Sequence, residues 1–228
     1  MEKTRQGYAV FIEFLRERKR VFDEIKEARN LDRYLVGSAL TIVFFCAIYG
    51  AVMGLFAGKT YPIVIPMDMV KMPLLLLIPL YATSPAYFVI GALIGLRVNF
   101  KQMLSLLSVS YSIASTVLVS FSPVVFVFSL TTDSHILIHG IHYALFALAG
   151  LCGAVYLLAG AKNVLGREVM EKKAGEDEAD VKGSELPLWL IPLMVGGILT
   201  LLVGFQLVWL LRPYFHYYQS FFEELDFL

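Results

Sequence analysis

Residues 35–57, "LVGSALTIVFFCAIYGAVMGLFA", run for twenty-three positions without one Asp, Glu, Lys or Arg. About 20 mostly apolar residues wound as a helix cross roughly 30 Å of hydrocarbon, so this stretch predicts a transmembrane span. Four further stretches meet the same requirement, Met72–Leu96, Met103–Leu130, Ile136–Ala161 and Leu188–Leu211, again without those four residue types. The whole chain agrees: 58% of its 228 residues are hydrophobic and only 17% are charged, with a mean hydropathy of +0.70. That composition lies outside the soluble range. The expected fold class is an all-α integral membrane protein with five transmembrane helices.

The flanks complete the expected organisation. Residues 1–34 precede the first span, and in "GYAVFIEFLRERKRVFDEIKEARNLDRYL" the apolar positions Phe11, Phe14, Leu15, Val21, Phe22, Ile25 and Ala28 recur at near-helical spacing among basic residues. A basic amphipathic helix follows, either lying in the membrane interface or packed on the ends of the spans. The membrane domain is expected over residues 35–212, with a charged loop at 162–187 and an aromatic, acidic tail at 213–228. Apolar sequence begins only after the charged leader, so the first span itself is expected to direct insertion. Lys and Arg number sixteen on one side of the five spans and three on the other. The positive-inside rule then predicts a cytoplasmic N-terminus and an outward C-terminus. Nineteen basic residues balance nineteen acidic ones, which gives no field for nucleic acid.

The third span carries eight serine or threonine side chains between Ser105 and Ser122. At about 100° per residue, Ser105, Ser108, Ser112, Ser115, Thr116, Ser120 and Ser122 fall within an arc of roughly 160°, with Ser110 opposite. Small hydroxyl residues on one face let helices approach and bond back to their own carbonyls, which favours a packing surface. The alternative is the wall of a hydrated pore between several copies. Four-residue spacings of small residues recur at Gly50 and Gly54, Gly91 and Gly95, Gly150 and Ala154, and among Gly196, Gly197 and Gly204. They point to close helix crossings. Pro73, Pro79 and Pro85 are expected to divide the second span, and Pro123 to interrupt the third, with Ser84 and Ser122 supplying a hydroxyl beside each break. No carboxylate falls within the expected spans, which argues against ion-coupled transport.

His135, His139 and His142 stand at i, i+4 and i+7 on the fourth span. That spacing could bring imidazoles together on a metal or haem, with His139 and His142 the cofactor candidates, yet no carboxylate or cysteine completes a set. No metal and no cofactor is predicted. Cys46 and Cys152 lie inside apolar runs and read as packing residues. Gln206, the lone amide of the fifth span, is expected to bond between helices. Trp209, Arg212, Tyr214, Tyr217 and Tyr218 suit a membrane interface. No nucleophile elbow, Walker loop, zinc-protease or kinase signature occurs, so catalysis is not expected.

The run from Lys71 to Leu130, "KMPLLLLIPLYATSPAYFVIGALIGLRVNFKQMLSLLSVSYSIASTVLVSFSPVVFVFSL", followed by "LFALAGLCGAVYLL" and "GFQLVWLLRPYF", resembles a group of bacterial polytopic membrane proteins, which implies a bacterial inner membrane. It also distantly resembles the Yip (Ypt-interacting protein) membrane domain over residues 35–215. The resemblance implies five spans, a cytoplasmic N-terminus and a role in shaping membranes or in trafficking with small GTPases. The GTPase-binding motifs of eukaryotic members have no counterpart here, so no functional residue carries over. The expected function is a non-catalytic scaffold or assembly subunit, embedded in the lipid bilayer and holding other membrane or periplasmic proteins. Its docking residues would be Phe11, Phe14, Arg18 and Phe22 before the first span and Phe221 and Phe222 in the tail. The alternatives are a homo-oligomeric channel lined by the serines and a haem- or quinone-associated anchor.

Overall fold

The computed structural model describes residues 18–58, 62–93, 98–132, 134–164 and 190–211. Among these residues there are seven helices and no strand: α1 (Arg18–Lys26), α2 (Leu31–Gly58), α3 (Val64–Leu93), α4 (Phe100–Ser120), α5 (Ser122–Thr131), α6 (His135–Val164) and α7 (Leu190–Leu211). Five of them contain stretches long and apolar enough to cross a membrane, Leu31–Phe56, Val64–Leu93, Phe100–Ser120, Ile136–Val164 and Leu190–Val208. By length and composition the chain is a multi-pass helical membrane protein.

Helix α4 is the centre of the bundle. It packs against α1, α2, α3 and α6, and its most apolar stretch is 56% buried where those of α2, α3 and α6 are 33% buried and that of α7 is 17% buried. The gradient follows side-chain size. Serines let neighbours close around α4, whereas Ile198, Leu201, Leu202 and Phe205 of α7 are exposed and suit lipid. The closest crossing joins α2 to α3: a Cβ on Gly50 would overlap the Asp68 carbonyl group, and one on Gly54 would lie 2.9 Å from the Ile65 Cα. Only glycine lets the two backbones approach this far. Helix α7 is held chiefly on α3, where Gly196 sits beneath the Tyr87 ring. There the Thr200 hydroxyl lies 2.9 Å from Thr83 Oγ1 and 3.2 Å from the Tyr87 hydroxyl.

Helix α1 is amphipathic and docked. Val21, Phe22 and Ile25 are buried, while Lys19 and Arg20 are exposed. The Phe22 ring covers Gly160 of α6 and stacks at 5.1 Å on Tyr156, a burial that contributes about 1.5–3 kcal/mol. The chain reverses into α2 through Ala28 and Asn30, at φ 55° and 53°. Asparagine tolerates the left-handed region and alanine does not, so the turn is held by outside bonds. The Tyr34 hydroxyl donates to Glu24 at 2.8 Å, and Asn30 and Arg20 add bonds at 3.3 and 3.1 Å. Burial pushes the Glu24 carboxyl up, but these three donors and the Arg20 charge outweigh it and hold the group below the ordinary glutamate range.

Three expectations meet different outcomes. The helix that carries the second apolar stretch begins at Val64, before Met72, and holds Asp68 and Lys71 as an ion pair in its first turns. Pro73, Pro79 and Pro85 lie within this one unbroken helix. Pro85 deprives the Tyr81 carbonyl of its usual partner, and the Ser84 hydroxyl donates to that carbonyl at 3.0 Å. The third span, by contrast, is interrupted beside Pro123 as expected and forms two helices. Phe121 adopts φ −91° and ψ −1° between α4 and α5, and Pro123 in the first turn of α5 has no N–H to continue the α4 ladder. Here the neighbouring serine gives no relief, since Ser122 Oγ is buried without a hydrogen-bond partner.

Candidate functional site

The polar side chains that α4 brings into the bundle form the first candidate. Ser105, Ser108, Ser112 and Ser115 have no exposed surface and Ser122 has 6%; Thr116 is half-buried and Ser120 exposed. Ser110, on the opposite face, is also buried, because α6 closes on that side with Gly153 against the Ser110 carbonyl. Most of these hydroxyls bond within their own helix: Ser105 to the Lys101 carbonyl at 2.7 Å, Ser112 to Val109 at 2.7 Å, Ser115 to Ser112 at 2.8 Å and Thr116 to Ser112 at 2.7 Å. Such back-bonding satisfies the oxygen without a ligand.

Ser108 Oγ is different, being buried without a hydrogen-bond partner, as is Ser129 Oγ of α5. An unmade hydrogen bond at a buried hydroxyl costs about 1–3 kcal/mol. Ser108→Ala is therefore expected to unfold at the same temperature as the wild-type protein in detergent, or higher. A melting point lowered by several degrees would mean that the hydroxyl has a partner in the membrane.

The second candidate was hidden by the position of the expected span. Asp68 and Lys71, one turn apart on α3, are 4% and 9% exposed, with Lys71 Nζ 3.7 Å from Asp68 Oδ1. This is an ion pair beyond hydrogen-bond length, and Oδ1 has no hydrogen-bond partner. The neighbouring α2 supplies Gly50 and Gly54, with a Cβ on Gly54 falling 3.3 Å from Asp68 Oδ2. Among the described residues these are the only buried Asp, Glu, Lys or Arg side chains. Ionisable groups at such positions are costly to maintain and mark functional sites in membrane proteins.

The histidines are divided. His142 of α6 is 6% exposed, and its Nδ1 lies 2.8 Å from the Tyr49 hydroxyl of α2. The ring also stands edge-on to Tyr49 at 5.8 Å, and Phe146 stands edge-on to the same tyrosine at 5.9 Å. His139 is half-buried on the same helix. Among the described residues no three His, Cys, Asp or Glu side chains gather as a metal site would require. Cys46 and Cys152 are both free thiols. Gln206 is exposed on α7 and is not turned into the bundle as an interhelical bond would need.

The third candidate is the surface around α1. Gln102 closes it from α4: its Nε2 donates to the Ile25 carbonyl at 3.0 Å and the Lys26 carbonyl at 2.9 Å, while its Oε1 accepts from the Asn99 N–H at 2.8 Å. One amide caps the C-terminus of α1 and the N-terminus of α4 together. Around this clasp Lys19, Arg20, Arg29, Arg33, Lys101 and Lys162 are exposed, with Lys101 bonded to Asp32 at 3.1 Å. Phe22 lies inside the chain and is removed from the docking surface expected of it. Arg18 opens α1; its side chain, Phe11, Phe14, Phe221 and Phe222 lie outside the described residues.

Comparison of the chain with protein-family models, with curated proteins and with solved structures returns no match.

Proposed function

We propose that this protein is a non-catalytic assembly subunit that holds acidic protein partners at the end of its bundle that carries α1. The carrying observation is the Gln102 clasp, which fixes the backbone of α1 to α4 and so holds in place the helix that carries the exposed Lys19 and the turn that carries Arg29, paired with Glu27 at 3.3 Å. A rigid basic surface steers and registers an acidic partner at little cost in ordering. The sixteen-to-three distribution of Lys and Arg supports a cytoplasmic position for this end and an outward one for the tail. A distant relation of residues 35–215 to the Yip membrane domain would agree with such a role. Burial of Ser105, Ser108, Ser112 and Ser115 within one chain supports packing over a pore between copies, and the Tyr49 bond to His142 leaves less of that imidazole for a haem.

The test is purification from native membranes in lipid nanodiscs, with co-purifying proteins quantified by mass spectrometry. The Lys19→Glu/Arg29→Glu double variant is expected to lose at least nine-tenths of a specific partner while eluting as the wild type does. Deletion of residues 214–228 reports separately on the tail. A wild-type preparation that repeatedly contains the protein alone, or a partner indifferent to the charge reversal, overturns the proposal.

A further inference from the structure

We infer that Asp68 is a proton-binding site, loaded from the aqueous face nearest the N-terminus of α3, with Lys71 as its counter-charge. The inference rests on what surrounds the carboxylate. Asp68 is 4% exposed, Oδ1 has no hydrogen-bond partner, and the Lys71 ammonium stands 3.7 Å away. A buried carboxylate is kept ionised by several close donors. Here one cation stands beyond bonding length, so the ionised form is only partly compensated. A proton is the ligand that fits, because it needs no space. The α2 backbone presses on the site at Gly50 and Gly54, and Met72 fills the side next to Gly50. A calcium or magnesium ion takes six or more oxygens and has no room for them.

Access follows from position. Asp68 is four residues from Val64, where α3 begins, which is about 6 Å along the axis. Proton transfer from hydronium to Oδ1 forms the carboxylic acid and releases one water molecule. Lys71 keeps its proton, so the pair passes from neutral to a net charge of +1. No other described titratable group faces it. The described part of α7 has no ionisable side chain, Tyr49 of α2 is turned to His142, and Asp32, Arg33 and Lys101 belong to the opposite end of the bundle, where α1 packs. Lys59 and Tyr61, in the α2–α3 connection, lie outside the described residues.

Infrared difference spectra of the full chain in nanodiscs, taken from about pH 8 down to about pH 4, test this across the range in which carboxyl groups titrate. The wild type is expected to gain a carboxylic-acid C=O band that Asp68→Asn lacks. Lys71→Gln is expected to move its midpoint to higher pH, since losing the cation disfavours the carboxylate. A purely structural ion pair would give neither result. Identical titrations of wild type and Asp68→Asn, or an unmoved midpoint in Lys71→Gln, overturn the assignment. If Asp68→Asn does not fold, dicyclohexylcarbodiimide labelling of the wild type decides, since this reagent adds to protonated carboxyls in apolar surroundings. An adduct at Asp68 that grows as pH falls supports the site, and an unlabelled Asp68 peptide at every pH rejects it.

Discussion

Gly50→Leu is expected to yield a chain that inserts into the membrane but does not assemble its bundle. Even the first added carbon would overlap the Asp68 carbonyl group and lie 2.9 Å from Met72 Cγ. The Asp68 carbonyl is backbone, so the clash can be relieved only by moving α2 away from α3. Overpacking a filled core costs typically about 1–3 kcal/mol and more for larger intrusions. Separation of these helices would also uncover the Asp68–Lys71 pair. Gly50→Ala should lower the unfolding temperature in detergent clearly, and Gly50→Leu should elute as an aggregate or an expanded species. Gly150→Ala and Gly204→Ala are the controls, since a Cβ there meets nothing within 4 Å. If Gly50→Leu melted with the wild type, α2 and α3 would not cross as closely as Gly50 and Asp68 require.

Gln102→Leu is expected to release α1 while leaving the spans in place. It removes three hydrogen bonds, to the carbonyls of Ile25 and Lys26 and from the N–H of Asn99, and leaves the part-buried Lys26 carbonyl and Asn99 N–H without these partners, while the Ile25 carbonyl keeps the Ala28 N–H. At about 0.5–1.5 kcal/mol for each bond the loss is roughly 2–4 kcal/mol. Hydrogen exchange reads this directly: amides of residues 18–26 should lose protection by on the order of a hundredfold, with α4 and α6 little changed. Gln102→Glu separates the two roles, because its carboxylate can still accept from Asn99 but repels the α1 carbonyls. Equal protection of α1 in all three proteins would show that apolar contacts of Val21, Phe22 and Ile25 hold it alone.

The spans were legible in the sequence because a bilayer demands long uncharged runs, and the hydroxyl stripe was legible because helix geometry fixes which residues share a face. Both readings are local. What escaped them depends on a second helix. Asp68 and Lys71 look like the end of a membrane segment until each is placed one turn from the other, and their charges lower any hydropathy window that includes them. Burial of Ser110 against α6 follows from α4 being surrounded, which no wheel of α4 alone can tell. The same applies to His142, whose spacing from His139 suggested a ligand pair, while its hydrogen-bond partner Tyr49 lies 93 residues away. Proline was ambiguous for a similar reason: Ser84 stands before Pro85 and Ser122 before Pro123, yet only Ser84 repairs a freed carbonyl, so the same dipeptide continues one helix and ends another.

The Gln102 clasp also has a timetable. Ile25 and Gln102 are 77 residues apart, and at roughly 5–20 residues per second a ribosome takes on the order of 4–15 s to make that length. During that wait α1 exists but its receptor does not. Val21, Phe22 and Ile25 then have neither Leu106 nor Gly160 to cover them, and the nearest apolar surface is the lipid interface beside the first span. Lying in the interface and packing on the bundle, which compete as descriptions of a finished protein, become successive stages in the life of one nascent helix.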